Sequence, residues 1–174
     1  HWRGATEFER VTVRFITNPA ARVSALLSGG VDVIDGVPAG DVARLSRERN
    51  IRVTSTVTPR MAYMALDSAR DESPFVTDTE GRPMARNPLR DRRVRQAISM
   101  MINREAMVNT LLSGGGVPAG QIVPEGQGGY DPSLAPTPFD LPRARALLAE
   151  AGWPNGFGLT IHSSNNRFPQ DGAM

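Results

Sequence analysis

The pentapeptide Leu-Leu-Ser-Gly-Gly occurs twice, at residues 26–30 and 111–115, and each copy closes an amphipathic segment. Apolar residues recur at helical spacing before each copy, and glycine tolerates the left-handed backbone that commonly ends a helix. The flanking sequences of the two copies differ, so they are not an internal repeat. A Walker-type phosphate loop needs a Gly-Lys-Ser/Thr sequence, and the chain contains no Lys. Both copies therefore predict helix ends, which restrict the chain to short elements.

The first 66 residues alternate strand-like and helix-like segments. Residues 10–17 alternate apolar and polar side chains, and Asn18 followed by Pro19 is a typical cap and first turn of a helix. A second helix places Val42 and Leu45 inward. The order β-α-β-α-β-β predicts an α/β fold with a mixed sheet, its segments being strands at 10–17, 31–34, 51–57 and 60–66 and helices at 19–29 and 37–49.

The second half is predicted to be mainly helical. A polar stretch with Gly and Pro, residues 67–90, reads as a crossover or linker. Three helices follow, the first with Val94, Ala97, Ile98 and Met101 on one stripe, the second capped by Asn103, and the third beginning at Asp140. A long Gly/Pro loop joins the second to the third, and residues 157–164 form a last strand with Leu159 and Ile161 inward.

Composition argues for an ordinary water-exposed domain surface. All 20 basic residues are Arg, the formal net charge is only +2, and the pI near 9.9 reflects how little else titrates at high pH. The densest cluster, Arg86–Arg95, lacks interleaved aromatic residues for base stacking. We interpret it as a solvated helix face with intrachain ion pairs, and an Arg-rich module that binds nucleic acid or an anionic surface stays the alternative.

Termini and cysteine content say little about location. No apolar run approaches the ~20 residues of a membrane-spanning helix. The chain opens without Met or a signal-peptide core, and we expect it to be a segment of a longer protein. Without Cys it has no disulfide, thiolate nucleophile or zinc–sulfur site.

No catalytic, metal or cofactor site is predicted. The two histidines are His1 and His162, and no Gly-x-Ser-x-Gly sequence frames a serine. A hydrolase that uses Ser163 or Ser164 with His162 is disfavoured, because neighbouring residues on a strand point to opposite faces. We therefore expect a protein that is not an enzyme.

Four stretches together resemble one family, the extracytoplasmic solute-binding proteins of peptide/nickel-type ABC transporters (bacterial family 5, which includes dipeptide-, oligopeptide- and glutathione-binding members). They are ARVSALLSGGVDVIDGVP, NPLRDRRVRQAISMMINREAMVNTLLSGGGVPAGQIVP, YDPSLAPTPFDLPRARALLAEAGW and FGLTIHSSNNRF. The Asp-x-Arg-Val-Arg helix start is the most specific of these motifs. Two positions depart from the pattern: Asp67 stands where many members have Asn, and Asn103 where Asp is usual.

The resemblance implies part of a two-lobed fold of the type II periplasmic-binding-protein kind, which closes around a ligand by hinge motion. Residues 1–66 would belong to the first lobe, 67–90 to the interlobe crossover and 91–174 to the second lobe. It also implies capture of peptides or a related small solute in the periplasm. The solute would pass to ABC permease and ATPase subunits, with no cofactor, no nucleic acid and membrane association only through the permease.

Candidate ligand-binding residues follow from the resemblance and from the predicted strand that precedes the crossover. They are Arg60, Tyr63 and Asp67 on that strand, and Asn166 and Arg167 after the last strand. Charged solute ends need opposite charges in a partly desolvated place, which makes Asp67 a candidate for setting the preferred ligand charge.

Overall fold

A computed structural model describes Gly4 and residues 7–164. The chain divides into two compact units, His1–Val53 and Thr54–Met174. Among the described residues, no helix has the length and apolar character needed to cross a membrane. The predicted division into lobes at 1–66, 67–90 and 91–174 stays a prediction.

The first unit is built on two short helices, α1 (Pro19–Leu27) and α2 (Ala39–Leu45). Asn18 caps α1 by accepting a hydrogen bond from the Ala21 amide at 3.1 Å, as predicted. Gly29, with φ of 71°, ends that helix inside the first Leu-Leu-Ser-Gly-Gly copy. Val23 and Leu45 are the buried side chains of these helices.

Arg22 holds together the non-helical parts of the first unit. Its guanidinium donates to the carbonyls of Ile16 and Thr17 at 2.9 and 3.2 Å, and to that of Gly36 at 3.1 Å. Arg14 donates to the Gly30 carbonyl at 3.0 Å. Side-chain bonds therefore satisfy carbonyls that a sheet would otherwise pair.

The strands predicted in the first 66 residues are wrong as elements of this structure. Residues 10–17, 31–34, 51–57 and 60–66 run without strand pairing, and the paired strands of the described residues lie elsewhere, at Val76–Thr77 and Gly158–Leu159. Val11, Val13 and Phe15 are consequently 75, 71 and 93% exposed. The inward placement of Val42 is also wrong, since it is 38% exposed and only Leu45 reaches the core.

The second unit contains most of the regular structure. Its elements in chain order are β1 (Val76–Thr77), a 3-10 turn (Pro88–Arg90), α3 (Arg92–Met101), α4 (Arg104–Thr110), α5 (Leu141–Glu150) and β2 (Gly158–Leu159). Strands β1 and β2 pair antiparallel, with Val76 opposite Leu159. The segment predicted as a linker thus carries a strand and a turn, and it buries Val76 and Leu89.

The core of this unit lies where α3 meets α5. Ala97 and Ala144 are fully buried, and these small side chains let the two helices approach closely around Leu147. Val94 and Ile98 join a second cluster with Val76, Leu89 and Ala151. Arg93 adds a bond from its guanidinium to the Glu150 carbonyl at 2.8 Å.

The helix caps of this unit are those predicted from the sequence, whereas two apolar side chains are more exposed than predicted. The side chains of Asn103 and Asp140 accept hydrogen bonds from the amides of Ala106 and Arg143, which confirms both caps. Met101 and Ile161 are 40 and 59% exposed, so their predicted inward placement is wrong. The last strand is only two residues long, and one further backbone bond, from the Thr160 amide to the Phe75 carbonyl at 2.8 Å, continues beyond it.

Candidate ligand-binding site

The predicted site residues lie along the segment that leads into residues 67–90. Arg60 and Tyr63 are exposed, Tyr63 by 75%. Within the described part of the chain, no hydrogen bond or ion pair joins Arg60, Tyr63 and Asp67 to one another. Asn166 and Arg167 lie outside the described residues.

Asp67 has a more defined setting than the other candidates. Its Oδ2 accepts a hydrogen bond from Ser73 Oγ at 2.8 Å, and Arg70 Nη1 lies 3.4 Å from the same oxygen. The Asp67 side chain is 18% exposed. Its other oxygen, Oδ1, has no hydrogen-bond partner within the described residues, and it is not a fully buried atom. The carboxylate is therefore held through one oxygen, while the other stays open.

Asn87 fixes the backbone beneath this carboxylate. Its amide group donates to the carbonyls of Asp67 and Arg70 at 2.7 and 2.9 Å, and its Oδ1 accepts from the Leu89 amide at 3.0 Å. The Asn87 backbone amide donates to the Asp71 carbonyl at 2.9 Å. Asn87 is only 3% exposed, so these bonds satisfy a buried polar group.

Sequence reasoning did not select Ser73 or Asn87 as functional residues. Asn87 precedes Pro88 just as Asn18 precedes Pro19, and that cap pattern could have marked it. Its bonds to residues 67 and 70 are non-local, so no periodicity reveals them. Ser73 sits in a polar stretch and carries no local signal.

The Arg86–Arg95 cluster is largely committed to bonds within the chain. Arg90 pairs with Asp71, and Arg93 binds Asp91 at 2.6 Å. Arg95 donates to the Leu89 and Arg90 carbonyls at 2.9 Å each. These pairs fit the interpretation of a helix face with intrachain ion pairs.

Three arginines of this cluster have no ion pair within the described residues: Arg86, Arg92 and Arg95, the last of which is bonded to backbone carbonyls. The Arg86 guanidinium lies 6.0 Å from the Trp153 ring centroid, at cation–π range. A shallow cleft of about 350 Å³ beside Arg86 is lined by Asp71, Ala85, Arg86, Asn87, Arg90 and Asp91. Acidic and basic side chains are balanced there, so the cleft presents no strong positive field.

The perturbed carboxylates of the unit are explained by local pairing. The Arg93 side chain and amide, which donate to Asp91, lower the pKa of that carboxyl from 3.8 to about 2. Hydrogen bonds from the Arg82 amide and side chain lower the pKa of Asp78, and bonds from Ser133 lower that of Asp131. These are turn and cap interactions, and none of the three groups lies among the predicted site residues.

The residues of the hydrolase alternative are not arranged as a nucleophile and a base. The His162 ring packs edge-to-face on Phe75, with centroids 5.2 Å apart. The Ser163 hydroxyl donates to the Ser164 carbonyl at 3.1 Å. Nothing in the described geometry therefore supports acyl transfer at this strand. The described residues also bring no three His, Asp or Glu side chains together as a metal site.

Comparison with known proteins gives a family match over nearly the whole chain. A family model described as "Bacterial extracellular solute-binding proteins, family 5 Middle" matches residues 1–173. The glutathione-binding protein GsiB of Salmonella choleraesuis is 28% identical over 167 residues, which cover 95% of this chain and 29% of GsiB. The chain thus spans less than a third of the length of this relative.

Solved structures agree with the family and with the predicted fold class. HbpA2 of Haemophilus parasuis matches 89% of this chain and 27% of its own, at 29% identity and a TM-score of 0.60. The ABC transporter-associated periplasmic binding protein DppA of Helicobacter pylori, in complex with the peptide STSA, matches 82% of this chain and 25% of its own. Its identity is 26% and its TM-score 0.56. The mixed arrangement of helices and a small sheet is therefore that of a periplasmic-binding-protein segment. The chain belongs to family 5 of the bacterial extracellular solute-binding proteins.

Proposed function

We propose that this chain is part of the solute-binding receptor of an ABC importer. The receptor captures a peptide or a related small solute and delivers it to the membrane permease. The observation that carries the proposal is the family match over residues 1–173, together with likeness to a glutathione-binding protein and to a peptide-complexed one. The receptor would act in the periplasm, as DppA does by its description.

Capture in this proposal is physical rather than chemical. Residues 1–66 and 91–174 belong to two lobes that residues 67–90 connect, and closure buries the solute between them. A solute shifts the open–closed equilibrium only as far as it binds the closed form better. Main-chain hydrogen bonds and bridging waters let one site bind peptides that carry different side chains. Charged groups fix the orientation of the solute.

Asp67 supplies the charged group in this part of the site. Its carboxylate is mostly shielded from water, is oriented through Oδ2 and leaves Oδ1 open, which suits an ammonium or guanidinium group of the solute. Tyr63 offers an exposed aromatic face four residues earlier. Arg60, Asn166 and Arg167 remain proposed contacts for a carboxylate or a backbone of the solute.

Replacing Asp67 by Asn in the complete receptor tests this role. The Asn side chain keeps the shape and an oxygen that can accept from Ser73, so the fold should be retained while the charge is lost. We expect the affinity for a cationic peptide to fall about tenfold or more, as for loss of one charge-assisted contact. Isothermal titration calorimetry measures the change.

Glu72→Gln is the matched control, because it removes the same charge from an exposed side chain of the same loop. We expect it to leave the affinity within about twofold of wild type. Equal affinities in wild type, Asp67→Asn and Glu72→Gln would remove Asp67 from the site.

The Arg-rich alternative predicts binding to a polyanion, which the solute-binding proposal does not. A nucleic-acid or anionic-surface binder should be retained on heparin at ~150 mM salt, with a steep salt dependence. Among the described residues of the cluster only Arg86, Arg92 and Arg95 lack an ion pair, and Arg95 is bonded to backbone carbonyls, so we expect the protein to flow through.

A further inference from the structure

We propose that Ser73 is a positioning residue for solute binding, which aims the carboxylate of Asp67, and that Asn87 fixes the backbone on which Asp67 sits. The inference rests on the proposed role of Asp67 in solute capture. It assigns the solute a cationic group, an ammonium or a guanidinium, opposite Asp67 Oδ1.

Ser73 is placed to orient the carboxylate. Its hydroxyl has one proton, which it donates to Asp67 Oδ2 at 2.8 Å, while its oxygen accepts from the Phe75 amide at 3.4 Å. Ser73 is only 6% exposed, so water does not compete freely for this bond. With Oδ2 engaged, the direction of Oδ1 is set by the carboxylate plane.

Arg70 does not explain the orientation by itself. Its guanidinium also approaches Oδ2, at 3.4 Å, but the Arg70 side chain is 59% exposed. Exposed ion pairs of this kind contribute little and rearrange easily. Because both Ser73 and Arg70 approach the same oxygen, neither blocks Oδ1.

Asn87 supplies the rigid support. It bonds to the carbonyls of residues 67 and 70 and to that of residue 71, so three of five consecutive residues are anchored to one buried side chain and its backbone. A binding group performs well only when its supporting contacts hold it within a fraction of an ångström. Asn87 therefore holds the loop from Asp67 to Ser73 at its first residue and again at residues 70 and 71.

The test measures charge preference rather than affinity alone, in the complete receptor. The probes are the dipeptide Ala-Lys, its neutral analogue Ala-norleucine and N-acetyl-Ala-Lys, each analogue lacking one ammonium group. For each analogue, the affinity for Ala-Lys is divided by the affinity for the analogue. The larger of these two ratios is the charge preference. The variants are Ser73→Ala, Ser73→Thr, which restores a hydroxyl, and Asp67→Asn.

We expect Ser73→Ala to reduce the preference roughly five- to tenfold, as for loss of one hydrogen bond to a charged group. The affinity for the probe that lacks the recognised ammonium should stay within about twofold. Ser73→Thr should recover most of the preference. Asp67→Asn should abolish it, and adding Ser73→Ala to Asp67→Asn should change nothing further.

Ser68→Ala is the control, since Ser68 is an exposed neighbouring serine whose hydroxyl makes no bond within the described residues. It should leave the preference unchanged. Melting temperatures of all variants separate folding from recognition, because a purely structural role would weaken binding of all three probes alike.

The outcomes separate the inference from the proposed function. Wild-type protein that binds none of the probes contradicts peptide capture itself, and the inference with it. Wild-type protein that binds them without preference overturns the inference and the proposed role of Asp67, but not peptide capture. A preference that Asp67→Asn abolishes and Ser73→Ala preserves overturns only the inference.

Discussion

At the scale of single residues, Asn87 makes three side-chain hydrogen bonds and two backbone bonds while almost fully buried. Replacing it by Ala leaves two carbonyls and the Leu89 amide without partners. We expect Asn87→Ala to lower the free energy of unfolding by roughly 2–4 kcal/mol, which urea denaturation measures.

The control for this substitution is Asn109→Ala, an exposed position of α4 without a side-chain bond in the described residues. It should stay within about 0.5 kcal/mol of wild type. An Asn87→Ala variant as stable as this control would show that the loop from residue 67 to 73 does not depend on the Asn87 amide.

The carboxylate of Asp91 makes a contribution to stability that depends on pH. Its folded-state pKa is lowered from 3.8 to about 2, first by the side chain and then by the amide of Arg93. A lowered pKa means that the ionised group stabilises the fold above its ordinary pKa, and that this contribution is lost as the pH falls. The loss should occur between about pH 4 and about pH 2.

Asp91→Asn tests the direction of this pH dependence, and the Asn side chain can still cap α3. We expect the urea midpoint of wild type to exceed that of the variant near pH 6 and the difference to shrink toward about pH 2. Salt at about 1 M should reduce the difference, since the pair is near the surface. A difference that grows on acidification would contradict the ion pair.

Residue-level prediction from the sequence succeeded where the determinants are local. The caps at Asn18, Asn103 and Asp140 were predicted and are observed, because each side chain bonds an amide three residues away. The junction of Asp67 with Asn87 joins residues twenty positions apart, and only the folded chain brings them together.

At the scale of elements, helices were predicted well and strands poorly. A helix satisfies its own backbone, so α1, α3 and α5 could be identified from apolar spacing and caps. A strand needs a neighbour, and alternation alone does not provide one. Residues 10–17 therefore show strand patterning without strand pairing in the described structure.

The long Gly/Pro loop between α4 and α5 has a closure that the sequence does not show. The Gln121 side chain donates to the Asp131 carbonyl at 2.6 Å and accepts from the Asp131 amide at 3.0 Å. Gly120 packs against the backbone of Leu134 and Ala135, with no room for a Cβ atom. Two sites of close contact therefore hold the loop folded.

Gly120→Ala should open this loop, because the neighbour that an added methyl meets is backbone and cannot turn aside. We expect faster hydrogen exchange and proteolytic cleavage between residues 117 and 135, with α3 and α5 still protected. Gly128→Ala is the matched control within the same loop, since an added Cβ there meets nothing within 4 Å. Equal exchange in the two variants would contradict the packing of Gly120.

At the scale of the whole molecule, the first unit has apolar segments without strand pairing in the described residues. Val11, Val13 and Phe15 are strongly exposed here, and the relatives are far longer than the part that matches this chain. In the receptor that we propose, these segments would complete their sheets with strands that this chain does not contain. The family itself was predicted from four linked motifs, and the match over residues 1–173 confirms it.

The site could be predicted only in outline from the sequence. Asp67 was selected through the family pattern, whereas its support by Ser73 and Asn87 depends on how residues 67–90 fold within the second unit. In the receptor that we propose, contacts outside the matched part would also set the solute, so neither composition nor motif spacing of this chain specifies it.

A thermal-shift titration of the complete receptor with dipeptides, tripeptides and glutathione tests whether it captures such solutes, with this chain alone run alongside. A ligand at about 100 times its dissociation constant stabilises a protein by roughly 2.7 kcal/mol, which raises the melting temperature by several degrees. We expect such a rise for at least one of these solutes in the complete receptor, and a smaller rise or none for this chain. Unchanged melting temperatures with every solute would contradict the proposed capture of peptides or glutathione.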